Sequence, residues 1–215
     1  VPETVPEGFK RAGEWTVEAN QISDGAELQY IVDNHALSTH LQIVKRDAQT
    51  GASVPLAGFT FQLLDSNHKP VSQTCWYPAY NVMDTFTTDA TGTVTLPESL
   101  MPGTYYVRET SAKEPYLVGG EIEVNIPADI NLTPVAIVSY YNHAATGNIR
   151  IVKTDAVDGS SLAGATFEIR ASGDIVRPDG SIAALDGETV ATVTTDETGE
   201  ARADDLPLGS GTARY

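Results

Sequence analysis

Leu41-Gln42-Ile43-Val44-Lys45 reads as a β-strand whose inward face ends in a lysine. Alternate residues of a strand share a face, so Leu41, Ile43 and Lys45 point one way while Gln42 and Val44 point the other. The ammonium group is therefore aimed at the core. The same pattern returns in Asn148-Ile149-Arg150-Ile151-Val152-Lys153, which places Lys153 108 positions after Lys45. A lysine set twice at the same inward place needs a partner or a reaction.

Two periods of this length fill the 215 residues, and each suits a compact all-β unit with its own core, so an array of units is expected. Apolar residues make up 41% of the chain and charged residues 20%. No apolar run is long enough to span a bilayer, which excludes membrane insertion by a helix. With 29 acidic against 13 basic side chains and a net charge of −16, nucleic acid and anionic membrane surfaces are excluded as electrostatic partners. Cys75 stands alone, so neither an intrachain disulfide nor a cysteine-based metal site can form, and its expected role is that of a small buried apolar residue. No cofactor and no metal are expected: no phosphate loop or calcium loop is visible, and His35, His40, His68 and His143 lack a ligand spacing with nearby carboxylates.

Taken in order, residues 1–36 contain two strand-like runs and end in Asn34-His35-Ala36, which recurs as Asn142-His143-Ala144. Each asparagine precedes the following lysine by the same interval, so the stretch between them reads as a joint between units. From residue 37 to 145 short strands alternate with turn signals. They include Leu41 to Lys45, a run with alternating Phe59, Phe61 and Leu63, Thr93 to Leu96, Tyr105 to Glu109, Glu121 to Ile126, and Val135 to Asn142. Seven or so short strands without helical periodicity predict a β-sandwich. Residues 146–215 repeat the first half of that unit, with Leu162-Ala163-Gly164-Ala165-Thr166-Phe167 answering Leu56 to Phe61 and Thr194 to Gly199 answering Thr87 to Gly92.

Parity assigns faces to the later strands as well. Tyr105, Val107 and Glu109 share one face, and Ala136, Val138, Tyr140 and Asn142 share another. If both face the core, a lysine, a glutamate and an asparagine meet in an apolar interior that favours uncharged amine and acid. The expected chemistry is attack of the Lys45 amine on the Asn142 side-chain amide. Glu109 donates to the amide carbonyl and shuttles a proton to departing ammonia, and a Lys–Asn isopeptide bond remains. Surface decoration by an ordinary ion pair is the competing reading. Separately, Trp76, Tyr77 and Tyr80 in Cys75-Trp76-Tyr77-Pro78-Ala79-Tyr80 form an aromatic cluster. It is either a candidate ligand contact for a glycan or protein or an edge strand covering the core.

The set Ile43-Val44-Lys45-Arg46-Asp47, Leu56-Ala57-Gly58-Phe59-Thr60-Phe61, Thr87-Thr88-Asp89-Ala90-Thr91-Gly92, Pro102 to Thr110 and Tyr141-Asn142 resembles the Cna B-type domains of Gram-positive pilins and collagen-adhesin stalks. The resemblance implies tandem immunoglobulin-like (prealbumin-like) β-sandwiches, one complete and two partial, over 37–145, 1–36 and 146–215. It implies an autocatalytic isopeptide site at Lys45, Glu109 and Asn142. Lys153 maps to the reactive lysine of a following unit, and Glu3 and Asn34 to the acid and asparagine of a preceding one. It further implies an extracellular, cell-surface or cell-wall location and neighbouring domains of the same surface protein as partners, with any host, matrix or glycan ligand bound through another domain. No enzymatic turnover is expected. A carbohydrate-binding accessory module using Trp76, Tyr77 and Tyr80 is the alternative. The two outer stretches are also expected to complement one another between molecules, head to tail, through Lys153 and Asn34.

Overall fold

In a computed structural model of the chain, the structure describes residues 4–5, 9, 16, 38–127, 135–211 and 213–215. The expectations for Glu3, Asn34 and the 1–36 stretch fall almost wholly outside these residues.

Strict alternation makes the first strand. In β1, His40–Asp47, every second side chain is buried, which turns Leu41, Ile43, Lys45 and Asp47 inward. It lies at the centre of a three-stranded sheet, antiparallel to β6 (Thr93–Thr95) on one side and parallel to β9 (Val135–Asn142) on the other. The parallel register is unbroken from His40 opposite Val135 to Asp47 opposite Asn142. The other sheet has the order β5, β2, β7, β8, formed by Phe86–Thr87, Thr60–Leu64, Gly103–Ser111 and Glu121–Ile126. Leu41, Ile43 and Tyr140 from the first sheet share one core cluster with Phe61, Leu63, Val107 and Val124 from the second. The described residues are thus an all-β sandwich here. Strand β9 lies beside β1 and not beside β8 because its inward residues, Ala136, Val138 and Tyr140, complete the face that Leu41 and Ile43 begin.

A short hairpin, β3 (Gln73–Cys75) with β4 (Asn81–Met83), is separate from both sheets. Two expectations fail on it. Cys75 is only half-buried, its thiol donating to the Tyr77 carbonyl at 2.9 Å, so it is not a core residue. Trp76, Tyr77 and Tyr80 sit at the hairpin tip and are 75%, 86% and 65% exposed; they do not cover the core as an edge strand would.

The remaining strands are β10 (Thr146–Val152), β11 (Thr166–Arg170), β12 (Ile175–Val176), β13 (Ile182–Ala184), β14 (Thr189–Thr194) and β15 (Glu200–Pro207). They repeat the earlier bonding pattern. Lys45 N–H donates to the Gly92 carbonyl at 2.9 Å and Lys153 N–H to the Gly199 carbonyl at 2.8 Å. The Thr88 hydroxyl donates to the Leu56 carbonyl at 3.0 Å and the Thr195 hydroxyl to the Leu162 carbonyl at 2.7 Å. These strands enclose separate apolar clusters, one built on Ile169, Ala203 and Leu206 and another on Ala171, Ile175 and Ala184. Among the described residues β10 pairs only with β15, whereas β1 pairs with two strands.

Candidate functional site

Three side chains anticipated from strand parity meet between the two sheets. Lys45 (β1) and Asn142 (β9) come from adjacent parallel strands of one sheet and Glu109 (β7) from the other; they are 0%, 1% and 3% exposed. In register Lys45 lies opposite Tyr140. Its side chain therefore runs along the strand direction to reach Asn142, two residues farther on and on the same face. The Nζ donates to Asn142 Oδ1 and, at 3.4 Å, to the Tyr140 carbonyl, and lies 3.4 Å from Glu109 Oε1. The rings of Phe59 and Tyr140 stand 4.8 Å and 4.7 Å from it. They exclude water and offer π faces to an ammonium ion. Burial pulls the Lys45 amine down from 10.5 to about 8, even though the negative charges of Glu109 and Asp47 act to raise it.

The orientation of the Asn142 amide follows from its neighbours. Its Nδ2 donates to the Leu117 carbonyl at 2.7 Å and also to Glu109 Oε2. A backbone carbonyl can only accept, so the amide atom facing it must be the nitrogen. The Gly119 N–H donates to the same Oε2 at 2.6 Å. Glu109 Oε1 has no hydrogen-bond partner among the described residues and is the oxygen turned toward Lys45. One detail of the sequence reading is corrected here: Glu109 faces the amide nitrogen of Asn142, whereas donation to the amide carbonyl was expected. Parity gives the face of a residue, while the end of an amide presented to a neighbour depends on the far-off Leu117 carbonyl.

Other expected site residues are not gathered. Lys153 is half-exposed and its Nζ donates to the Thr154 carbonyl at 3.3 Å. Glu3 and Asn34 lie outside the described residues. Trp76 and Tyr80 pack with ring centroids 5.1 Å apart, on a hairpin separate from the two sheets that carry the triad.

Several contributors were not read from the sequence. Asp47 is fully buried; its Oδ1 accepts from the Gln49 and Thr50 N–H groups at 2.7 and 2.9 Å, and its Oδ2 from the Tyr116 hydroxyl at 2.8 Å. The signal for Asp47 was available, since it continues the inward parity of Lys45. For Tyr116, Leu117 and Gly119 there was none, because they act from a connection without periodicity.

A prealbumin-like β-sandwich with a buried lysine, glutamate and asparagine between its sheets is the class that this fold and site define. The family model for SpaA, prealbumin-like fold domain, matches residues 39–139 and 147–213. That is more than half of the chain, and the chain belongs to this family. No curated protein matches it. Among solved structures it is similar to the Bacillus anthracis TIE protein, at 23% identity and TM-score 0.48, over 82% of this chain and 28% of that one. It is also similar to GBS52, the minor pilin of Streptococcus agalactiae, at 20% identity and TM-score 0.43, over 54% and 49%. A third is the shaft pilin spaA of Lactobacillus rhamnosus GG, at 17% identity and TM-score 0.34, over 79% and 82%. The chain spans less than half the length of the first two.

Proposed function

We propose that the chain is a structural stalk module of a bacterial cell-surface adhesin or pilin, closed by an autocatalytic isopeptide bond between Lys45 and Asn142. The observation that carries this reading is the Lys45 amine held against the Asn142 amide with Glu109 touching both, all three buried. Transfer of a proton from Lys45 to Glu109 converts a buried ion pair into an uncharged amine and acid, which an apolar interior favours. The amine attacks Asn142 Cγ, forming the new C–N bond. The Glu109 carboxyl, holding the proton it took from Lys45, gives a proton to Nδ2 and takes up the one shed by the newly bonded nitrogen; the Cγ–Nδ2 bond breaks, ammonia leaves and Glu109 remains the acid. Each chain reacts once, so this is no turnover enzyme.

The domain reading belongs to the same proposal: 37–145 as one whole unit, 146–215 as the first strands of a following unit, and 1–36 as the last strands of a preceding one. The repeated bonding pattern of β10 to β15 supports it. A string of such units suits an extracellular place on the cell wall, with neighbouring domains of the same surface protein as partners. The test is intact mass: the folded chain falls short of its sequence mass by one ammonia, and Lys45→Ala, Asn142→Ala and Glu109→Ala each restore the full mass. A full mass in the folded, aged protein refutes the bond.

One observation favours a second reading. The exposed Trp76, Tyr77 and Tyr80 tip offers aromatic faces on which a neutral sugar ring can stack, as a carbohydrate-binding accessory module would use. Glycan-array binding that is lost in Trp76→Ala and Tyr80→Ala supports that reading; no binding by the intact chain removes it.

A further inference from the structure

The connection between β7 and β8 is tied to the triad at more points than a loop needs. Pro115 accepts from the Ala145 N–H at 2.6 Å and Leu117 N–H donates to the His143 carbonyl at 2.9 Å, so the segment lies alongside the residues that follow β9. From that position its backbone reaches inward twice, the Leu117 carbonyl to Asn142 Nδ2 and the Gly119 N–H to Glu109 Oε2. The Gly120 carbonyl accepts from the Tyr140 hydroxyl. The side chains of Leu117 and Val118 are 57% and 56% exposed, so this stretch acts on the site through its main chain. What holds it down is Tyr116, 5% exposed, with its ring 5.8 Å from Phe59 and its hydroxyl on the buried Asp47 carboxylate.

Resting on the isopeptide reading above, we propose that residues 115–120 are a positioning strap for the cross-linking reaction, with Tyr116 as its anchor and the Leu117 carbonyl and Gly119 N–H as its working groups. The strap settles two choices that the triad alone leaves open. An amide has two ends of similar size, and only one orientation puts the leaving nitrogen against Glu109; turned over, Asn142 would set its own oxygen against the Leu117 carbonyl, with no hydrogen between them. A carboxyl group has two oxygens, and the Gly119 N–H occupies Oε2 on the leaving-group side, which leaves Oε1 turned to the attacking amine. Neither working group touches the bond being formed; the Gly119 N–H acts through Glu109, and the Leu117 carbonyl holds the leaving nitrogen in its orientation.

The test follows the rate of ammonia loss in the whole chain. Protein dissolved from inclusion bodies in denaturant, and so never folded, is diluted into buffer, and intact mass is sampled with time beside far-ultraviolet circular dichroism and protease resistance. Tyr116→Phe removes one hydroxyl and keeps the ring on Phe59. Gly119→Ala adds a methyl group that would meet the Tyr140 ring and hydroxyl, the hydroxyl at 2.7 Å, and pushes the strap outward. Both variants are expected to fold as fast as the unchanged chain and to lose ammonia about ten- to a hundredfold more slowly. In Gly119→Ala the pH midpoint of the rate should stay where it was, because a positioning defect lowers the plateau and leaves the charges around Lys45 in place; Tyr116→Phe takes a hydrogen bond from Asp47, whose charge acts on Lys45, and is read by its rate alone. A folded Tyr116→Phe chain that cross-links at the unchanged rate overturns the strap. So does a variant that never gains protease resistance, since 115–120 would then be holding the fold and not the reaction. An unchanged chain that folds and loses no ammonia refutes the isopeptide reading itself, a result distinct from either.

Discussion

Lys45 is subject to two opposed effects, and their balance sets when the amine can react. Removal from water disfavours the ammonium ion, while the nearby negative charges of Glu109 and Asp47 favour it; desolvation is the larger, and the amine sits at about 8 in place of 10.5. Only the unprotonated amine attacks an amide carbon. Here the amine is freed by handing its proton to Glu109, so the reactive pair keeps one proton, and raising the pH past about 8 strips it and leaves no acid for the leaving nitrogen. Cross-linking of chain refolding from denaturant is therefore expected to hold its rate up to about pH 8 and to fall above it. Mass-resolved time courses across that range check the sign. A rate that climbs steeply from about pH 6 to 8 and then levels off would mean that the amine is freed by losing its proton to solvent and that Glu109 does not serve as the acid. The same residue explains why a single lysine could be singled out of the sequence: its neighbours on the inward face, Leu41 and Ile43, are apolar, so parity alone put its charge in the core.

At the scale of elements, the turn into β6 fixes β1 and so the lysine. Gly92 has φ +74°, and a Cβ built on it would stand 1.8 Å from the Val54 carbonyl oxygen. Its own carbonyl accepts from the Lys45 N–H. Gly51, at φ +73°, has nothing within 4 Å of such a Cβ. In a Glu109→Ala background, where unfolding is free of the cross-link, Gly51→Ala should cost about 1 kcal/mol for the left-handed backbone. Gly92→Ala adds a backbone collision to that cost and should lose roughly 3 kcal/mol or more. Equal losses in urea melts would show that the Val54 segment gives way freely. Legibility divides along similar lines. The long strands β1, β7, β8 and β9 were readable because each carries several alternating residues, and the triad was readable because it sits on three of them. Strands β3, β4 and β5 have two or three residues each, too few for a period, so the hairpin that displays Trp76 and Tyr80 was missed. The strap was missed for a related reason: its contribution comes from main-chain groups, and any sequence supplies those.

For the whole molecule the consequence is a load path. In the proposed stalk, tension enters the sandwich ahead of β1 and leaves it after β9, and these two strands are parallel neighbours. Without a bond, force along them shears β1 from β9 and the unit unravels. With Lys45 joined to Asn142, force passes across the new amide and the 97-residue interval between them bears none of it. Closing so long an interval should also stabilise the unit by about 4 to 5 kcal/mol by analogy with a disulfide. The strands β10 to β15 provide an internal reference, because Lys153 meets no acid and asparagine pair among the described residues. In single-molecule pulling, Glu109→Ala should show an added lengthening of roughly 300 Å as the interval extends at about 3.3 to 3.6 Å per residue, and the unchanged chain should lack it. Release of the β10 to β15 strands should appear in both. If the unchanged chain also extends by the larger step, the first and last strands are not covalently joined, and resistance to load would have to come from the hydrogen-bonded ladder between β1 and β9 alone.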